Sequence, residues 1–425
     1  MINMIQNAKD QAAALAMAAY RAAVEDGTLP RAEVKTAPVE IPKDTANGDF
    51  TTTFALSAAK ALHSGPRDIA RALLDHMDLT GSYFASAEIA GPGFLNFRLG
   101  SGWYEGVCAA VESEGPEYGT NDSLKGQKIM VEFVSANPTG PMHMGNARGG
   151  VLGDTLAAVL EACGADVTRE FYVNDAGHQI DKFAHSIEAR YLQIIRGEEN
   201  VPFPEDGYQG DDIKELARAY YDQNGDNLAD APEAQRRETL ARYGLSVNLP
   251  KMKNDLRRYK IEYDNWFYES ALHESGYVAE TVELLTAAGW TYEREGALWL
   301  KTTDYGDEKD RVLRKSDGTL SYLTPDVANH VYKVERGYST LVNLWGADHH
   351  SYVTRMQAAL SALGYPKGTL SVDLIQMVRM VEDGAEVKMS KRTGNAITLR
   401  ELCEDVGVDA ARWFFVSKDI SSQMD

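Results

Sequence analysis

The stretch KIMVEFVSANPTGPMHMGNARGGVLGDTLAAVLEACGADVTREFYV, residues 128–173, decides the fold class. An apolar run at 128–134 predicts a buried strand, a loop rich in Pro and Gly follows at 135–146, and the next segment predicts a helix that ends at Gly164. A second apolar run at 167–173 predicts another strand. This order predicts a parallel α/β sheet, which binds ligands at the carboxyl ends of its strands, where helix N-termini favour anions.

The sequence before this unit predicts a separate small α+β domain over residues 1–115. A first helix is expected to run to about Ala23, and further helices are expected near 54–63 and from Pro66. The segment SAEIAGPGFLNFRL predicts a β-rich end to this domain.

The α/β domain is expected to span residues 116–395. A charged helical insertion is predicted at about 180–260, after which the sheet is expected to resume with ALWLKTT at 297–303 and a hairpin through 311–326. Residues 396–425 predict the start of a helical region.

Composition places the chain among ordinary globular proteins. It has 425 residues, of which 44% are hydrophobic and 25% charged, so disordered and collagen-like classes are excluded. No run approaches the roughly 18 apolar residues needed to span a bilayer, so no membrane partner is expected. Cys108, Cys163 and Cys403 lie far apart, which argues against disulfides and a Cys-rich zinc site and favours a reducing cytoplasm.

The charge balance is acidic, with 43 Lys and Arg against 63 Asp and Glu and a formal net charge of −20. Such a field repels polyphosphates and weighs against nonspecific binding of nucleic acid. One cluster of basic residues departs from it and predicts either a solvated helix face or a local nucleic-acid surface. Its members are Lys251, Lys253, Arg257, Arg258 and Lys260.

The loop SANPTGPMHMGN, residues 135–146, is the first candidate site. His143 and Asn146 are three residues apart and are expected to meet on the opening turn of a helix, where both can donate hydrogen bonds to phosphate. Gly145 lets a nucleotide approach the backbone closely. The alternative is a structural connection in which His143 only caps the helix.

The segment KMSK, residues 388–391, followed by RTGN, is the second candidate site. Two lysines, a serine and a glycine suit a cationic loop that stabilises the charge on departing pyrophosphate. The alternative is a solvated basic turn. The long separation of the two segments along the chain is typical of a cleft that is closed from two sides.

These residues resemble a known family. HMGN at 143–146 resembles the H-x-G-H signature of class I aminoacyl-tRNA synthetases, and KMSK at 388–391 matches their second signature. The surrounding segments occur in the order and approximate spacing of arginyl-tRNA synthetases: VEFVSANPTGPMHMGNARGGVLGD, FYVNDAGHQI, EGALWLKTT, DRVLRKSDGTLSYLTPDVANH, GADHHSYVTR and VKMSKRTGN. The opening domain resembles that family's N-terminal extension, which contacts the tRNA elbow.

The resemblance implies an arginine–tRNA ligase with a Rossmann-like catalytic domain. L-arginine would attack the α-phosphate of ATP to give arginyl-adenylate and pyrophosphate, and the 3′ end of tRNA(Arg) would then take the arginyl group. Mg²⁺ is expected to accompany ATP on the phosphates, without a protein metal site. A cytoplasmic monomer is the default expectation.

The resemblance also assigns residues to nucleotide binding and to the reaction. The ATP-binding residues are His143, Gly145, Asn146, Met389, Ser390 and Lys391, and the catalytic residues are His143, Asn146, Lys388 and Lys391.

The arginine pocket needs acceptors, because guanidinium presents five donors and no acceptor. By the resemblance, Asp326 and Tyr322 contact the guanidinium side of the ligand, Glu132 and Asn137 bind its amino-acid end, and His349 lies nearby. The alternatives are a helix N-cap for Asp326 and a packed hairpin aromatic for Tyr322.

Two departures from the family pattern are present. Asn146 stands where the signature usually has its second His, although Asn can still donate to phosphate. The family normally continues past SSQMD into a helical anticodon-binding domain, so a truncated form or fragment is expected, with effects on tRNA discrimination. Because the family's first step usually requires bound tRNA, adenylate formation is expected to be affected as well.

Two rival functions remain open at this stage. One is a nucleotidyl-transferring relative that activates another small acid or amine without tRNA. The other is a noncatalytic binding module that keeps an amino-acid, ATP or tRNA site without turnover.

Overall fold

The computed structural model describes residues 3–36, 38–382, 385–387 and 397–424. Its contacts divide the chain into two units, Met1–Asn121 and Asp122–Asp425. None of the helices within the described residues has the length and apolar character needed to cross a bilayer.

The first unit combines four helices with a four-stranded antiparallel sheet. The elements are α1 (Met4–Glu25), β1 (Val39–Glu40), β2 (Phe50–Thr52), α2 (Phe54–Leu62), α3 (Pro66–Asp75), β3 (Phe84–Ala90), β4 (Phe94–Leu99) and α4 (Ser101–Glu114), with strand order β1-β2-β4-β3. On α1, alanines 8, 12, 16, 19 and 23 are all buried, and their spacing places them on one face. The α+β prediction for this region is confirmed.

The second unit is built on a five-stranded parallel sheet with strand order β12-β11-β5-β6-β7. The strands of the unit are β5 (Lys128–Glu132), β6 (Asp166–Val173), β7 (Asn265–Tyr268), β8 (Thr291–Arg294), β9 (Ala297–Leu300), β10 (Arg311–Arg314), β11 (Thr340–Gly346), β12 (Leu370–Ile375), β13 (Met380–Glu382) and β14 (Ala385–Val387). Its helices are α5 (Met144–Ala162), α6 (His178–Arg196), α7 (Asp211–Asn224), α8 (Glu233–Arg258), α9 (Glu269–Glu274), α10 (Tyr277–Ala287), α11 (Leu323–Glu335), α12 (His350–Ala362), α13 (Leu399–Val406) and α14 (Val408–Val416). The predicted parallel α/β fold is confirmed.

One strand prediction is wrong. The segment at 297–303 and the hairpin after it do not continue the parallel sheet; β8, β9 and β10 form a separate antiparallel sheet. The cause is the two-residue turn at Glu295 and Gly296, whose φ angles are +54° and +75°. Such a turn returns the chain antiparallel to the strand before it, so β9 pairs with β8.

Helix α5 packs closely on the end of β5 because of a glycine. A Cβ at Gly153 would lie 2.2 Å from Cγ of Phe133, a distance that no packed side chain tolerates. Phe133 is buried in the core of the unit. This contact fixes the helix next to the loop that follows the strand.

Arg148 of α5 is fully buried and joins three distant parts of the chain. Its guanidinium donates to the carbonyl oxygens of Gln376 at 2.8 Å, Asp419 at 2.9 Å and Ile420 at 3.3 Å. The helix after the first candidate loop is therefore tied to the segment after β12 and to the C-terminal residues.

The basic cluster at the end of α8 is paired with neighbouring groups. Arg258 contacts Glu404 at 2.9 Å, and Lys260 contacts Asp409 at 2.5 Å. Lys253 lies over the ring of Trp266. These contacts favour the interpretation of the cluster as a helix face with local partners.

Candidate active site at the carboxyl edge of the parallel sheet

A cavity of about 760 Å³ opens where β5, β6 and β11 end. Its wall is completed by the loop after β5 and by residues of α6, α9, α11 and α12. This is the edge at which parallel α/β sheets bind ligands, as the sequence predicted.

The chain leaves β5 through a strained turn. Val134 has a φ of +69° and Ser135 a φ of +37°. The Ser135 amide donates to the carbonyl of Phe133 at 3.0 Å, which closes a three-residue turn. The Ser135 hydroxyl donates to Glu132 Oε1 at 3.0 Å and accepts from the Tyr172 amide at 3.1 Å. Strain of this kind concentrates at functional sites, and here it positions both the loop and the Glu132 carboxylate.

The loop after the turn is held by two amide side chains. Asn174 donates from Nδ2 to Oδ1 of Asn137 at 3.0 Å. Asn248, from α8 of the helical insertion, donates to the carbonyl of Pro138 at 3.0 Å. The insertion therefore supports the loop, and it also contributes Gln179 to the cavity wall.

His143 and Asn146 meet at the first turn of α5. His143 is the N-cap of the helix, and its main-chain amide donates to Asn146 Oδ1 at 3.1 Å. Asn146 therefore uses its oxygen in the cap, and its Nδ2 is the group suited to donate to a phosphate. Both side chains line the cavity, so capping and phosphate binding are compatible at this helix N-terminus.

Gly145 lies beside the imidazole of His143. A Cβ at this position would come within 2.9 Å of Nδ1 of that ring. The glycine therefore gives space to His143, the side chain that lines the cavity.

Asp326 lies in the acidic part of the cavity. Helix α11 begins at Leu323 with Tyr322 as its N-cap, so the helix N-cap alternative for Asp326 is wrong. The hydroxyl of Tyr352 donates to Asp326 Oδ2 at 2.5 Å. Burial, together with the charges of Glu269 and Glu132, raises the pKa of Asp326 to about 7 in spite of this hydrogen bond and of the nearby Lys333 ammonium.

Glu269 is a second acidic residue of the wall, and the sequence analysis missed it. It is the first residue of α9, directly after β7, and only 13% of its side chain is exposed. Burial and the charge of Asp175 raise its pKa to about 7. His273 Nε2 lies 3.5 Å from its Oε1. The signal that could have found it is its place after a strand, but that strand was not predicted.

Glu132 lies at the floor of the cavity in a different environment. Its Oε2 forms a hydrogen-bonded ion pair with Nζ of Lys333, a fully buried residue of α11. Burial alone would raise the pKa of Glu132, but the charges of Lys333 and His330, with hydrogen bonds from Lys333 and Ser135, outweigh it and leave the pKa lowered.

His330 lies between the acidic wall and the sheet as a neutral ring. Its Nδ1 is 2.7 Å from the carbonyl oxygen of Asp326, to which it donates, and its Nε2 accepts from Asn343 Nδ2 at 2.9 Å. Burial and the charge of Lys333 lower its pKa to about 4.

Of the described residues that line the cavity, none is Lys or Arg, whereas Glu132, Glu269 and Asp326 are acidic. The lining therefore suits a cation.

Most of the predicted site residues lie around this one cavity. Tyr322 lines it with 66% of its surface exposed, so the packed hairpin alternative is wrong. The ring of His349, the N-cap of α12, lies 6.4 Å from the rings of Trp345 and Tyr352. The lining includes Glu132, Asn137, His143, Asn146, Tyr322, Asp326 and His349. The predicted residues Lys388, Met389, Ser390 and Lys391 lie outside the described residues.

Two family models match the chain. The model described as tRNA synthetases class I (R), catalytic domain, matches residues 110–421, and the model described as arginyl tRNA synthetase N terminal domain matches residues 10–99.

Curated proteins are similar over the whole chain. The arginine–tRNA ligase of Acetivibrio thermocellus is 45% identical over 426 residues, which cover 100% of this chain and 76% of that protein. The arginine–tRNA ligase of Caldanaerobacter subterraneus is 47% identical over 416 residues, which cover 98% of this chain and 74% of that protein. The chain therefore spans about three quarters of the length of these relatives.

The fold has a solved counterpart. The arginyl-tRNA synthetase of Thermus thermophilus superposes with a TM-score of 0.62 at 20% identity, covering 97% of this chain and 76% of that one. At this identity the likeness concerns the fold alone.

Proposed function

The chain belongs to the arginyl-tRNA synthetase family and is an arginine–tRNA ligase, and from that premise we propose that arginine and ATP react in the cavity at the carboxyl edge of its parallel sheet. One observation carries the assignment. Asp326 and Glu269 are enclosed carboxylates whose pKa values are raised to about 7, and both face this cavity. A guanidinium that binds between them supplies the positive charge that balances both carboxylates.

The other lining residues orient the remainder of the amino acid. Asn137 and Glu132 flank the strained turn at Val134 and Ser135 and line the cavity, where they can accept hydrogen bonds from the α-ammonium group. Tyr322, exposed and part of the cavity lining, can cover the guanidinium plane, and His349 lines the cavity next to Trp345. This arrangement would direct the carboxylate of arginine toward His143 and Asn146.

ATP would bind at the N-terminus of α5. His143 and Asn146 would donate to phosphate oxygens there, and Gly145 would keep the imidazole of His143 in place. By the family pattern, Lys391, with Lys388 less directly, would stabilise the departing pyrophosphate, and Met389 and Ser390 would contact the nucleotide.

The chemistry needs no protein nucleophile. The arginine carboxylate attacks the α-phosphate, arginyl-adenylate forms and pyrophosphate leaves; a ribose hydroxyl of the tRNA terminus then takes the arginyl group and AMP leaves. Positioning and electrostatic stabilisation supply the catalysis. We propose that Mg²⁺ enters with ATP, because this ion prefers phosphate and water oxygens to the imidazole nitrogen of His143.

The pocket is tested by thermal unfolding of the chain with each of the twenty amino acids and with ATP. A ligand that binds only the native state stabilises it by RT ln(1 + [L]/Kd). We expect a shift with arginine, a much smaller one with lysine and a shift with ATP. A response to ATP with none to arginine would mean that the cavity takes another substrate.

The role of Lys391 is tested separately. We expect Lys391→Ala to lower adenylate formation in the presence of tRNA(Arg) at least about 100-fold, as for the loss of one transition-state contact, while arginine binding persists. Near-normal turnover of this variant would remove Lys391 from the mechanism.

A further inference from the structure

Four neighbouring strands carry a row of polar residues beneath α11. Asn343 of β11 pairs in register with Glu132 of β5, Glu132 with Glu170 of β6, and Glu170 with Asn265 of β7. The exposed fractions of Glu132 and Glu170 are 7% and 0%. Two adjacent buried carboxylates repel each other, and without a cation one of them takes up a proton.

Lys333 supplies that cation from α11. It lies seven residues after Asp326 and three after His330, so the three residues share the face of the helix toward the sheet. Its Nζ contacts Glu132 Oε2 directly and lies 3.4 Å from Glu170 Oε1. Burial alone would lower the pKa of Lys333, but the two carboxylates outweigh it and raise the pKa.

Arg336 balances the second carboxylate from the outer side. Its Nη1 lies 2.6 Å from Glu170 Oε2, and Asn265 donates to the same oxygen at 2.6 Å. Glu170 therefore keeps two partners besides Lys333. The cation in contact with Glu132 is Lys333, while Ser135 holds the other Glu132 oxygen.

We propose that Lys333 is a positioning residue for arginine recognition, which keeps Glu132 ionised and fixed at the floor of the cavity without contacting the substrate. The proposal rests on the proposed function of the cavity. Glu132 lines the cavity and Lys333 does not. Without the ammonium, Glu132 lies buried beside a second carboxylate and takes up a proton, which bound arginine has to displace.

Among the described residues, Lys333 is the cationic side chain that contacts Glu132, and the other groups facing it are acidic or neutral. The groups that face it are Lys333, His330 and Asp326 from α11, Glu170 and Tyr172 from β6, and Tyr263 from the segment before β7. The pKa values of the two tyrosines are raised and that of His330 is lowered, so these three groups are neutral near pH 7.

The test is calorimetric titration of L-arginine into the full chain between pH 6 and 8.5, in buffers that differ in ionisation enthalpy. We expect Lys333→Met to weaken arginine binding at least about tenfold at pH 7, with up to about one more proton released per arginine than in the unmodified chain. The difference in arginine affinity between Lys333→Met and the unmodified chain is expected to narrow as the pH rises. Lys333→Arg restores affinity and proton count, because guanidinium can bridge two carboxylates. Titration with ATP, which binds away from Glu132, serves as the control and stays unchanged.

Several outcomes overturn the proposal. If Lys333→Met binds arginine with the original affinity and proton count, Lys333 is only structural. If Lys333→Met does not fold, Lys333→Gln, which keeps a hydrogen-bond donor but no charge, is measured instead. Original arginine affinity and proton count in Lys333→Gln would likewise overturn the proposal. Arginine binding that responds to Asp326→Asn but not to Lys333→Met refutes this inference alone. An unmodified chain that binds no arginine refutes the proposed function of the cavity as well.

Discussion

Two pairs of acidic residues near one cavity differ in how their charge is balanced. Glu132 and Glu170 lie against Lys333 and Arg336, and the pKa of Glu132 is lowered. Asp326 and Glu269 are enclosed as well, but their pKa values are raised to about 7. The negative charge of the first pair is balanced by side chains of the protein, whereas that of the second pair is balanced only when a cationic ligand binds. Carboxylates of the second kind cost folding stability and provide binding energy.

The largest effect expected from this contrast is on folding at the compensated pair. Glu170→Gln leaves Lys333 and Arg336 with an amide in place of a carboxylate, and we expect it to lower the free energy of unfolding by about 3–5 kcal/mol. Arginine affinity should stay within about twofold, because Lys333 still pairs with Glu132. Chemical denaturation and calorimetry measure the two quantities. A large loss of arginine affinity in the folded variant would place Glu170 in the binding function.

The second prediction reverses this pattern at Asp326, where the larger effect is expected on arginine binding. Asp326→Asn removes a carboxylate from a desolvated charge pair with the ligand, and we expect arginine binding to weaken by about 2–4 kcal/mol. Asp405→Asn, an exposed change on α13, is the matched control and should have no effect. Unchanged arginine affinity of Asp326→Asn, measured by calorimetry, would remove this residue from the pocket.

The third prediction concerns stability and pH in the ligand-free chain. The pKa of Asp326 is about 7 in the folded state against a reference value of 3.8, so the penalty for its charge is absent below about pH 4 and complete above about pH 7. We expect Asp326→Asn to be more stable than the unmodified chain, by a margin that grows by about 3 kcal/mol between pH 5 and pH 8. Thermal unfolding across this range measures the margin. A margin that shrinks with rising pH would contradict the raised pKa.

The smallest effect is expected at Glu269. Its Oε1 lies 3.5 Å from Nε2 of His273, and Asp326 remains beside the ligand when the charge of Glu269 is removed. We expect Glu269→Gln to weaken arginine binding about tenfold. We also expect the arginine affinity of the unmodified chain to fall as the pH is lowered through 7, because Glu269 and Asp326 then take up protons. Glu274→Gln, at the exposed end of α9, is the matched control. Equal affinities of the two variants at pH 8 would mean that Asp326 alone balances the ligand.

Much of the fold followed from local patterns. The strand predicted at 128–134 and the helix predicted to end at Gly164 are marked by an apolar run, a Gly- and Pro-rich loop and a C-terminal glycine. The structure confirms both elements, with the strand ending at Glu132 and the helix at Ala162. The strand at 265–268 was missed, because it is only four residues long and all four are only partly buried. The error at 297–300 arose because apolar spacing does not distinguish parallel from antiparallel pairing.

The site was partly predictable for a related reason. The spacing of His143 and Asn146 marked the phosphate side of the site, and the resemblance to the family assigned Asp326, Tyr322, Glu132, Asn137 and His349 to the arginine pocket. Glu269 followed a strand that was not recognised, and Lys333 has no motif of its own. The significance of Lys333 depends on the register that brings Glu132 beside Glu170, and register is a property of the assembled sheet.

The hydrogen bonds from the buried Arg148 guanidinium to three distant carbonyl oxygens affect the order in which the chain can fold during synthesis. The most distant acceptor of Arg148, the carbonyl of Ile420, lies 272 residues further along. At about 5–20 residues per second, a ribosome needs on the order of 15–50 s to add that length. During this time the guanidinium has to stay hydrated, because a buried charge without acceptors is costly. The helix that carries the first signature therefore reaches its final burial only after Ile420 has been translated, whereas Met1–Asn121 already holds its own core.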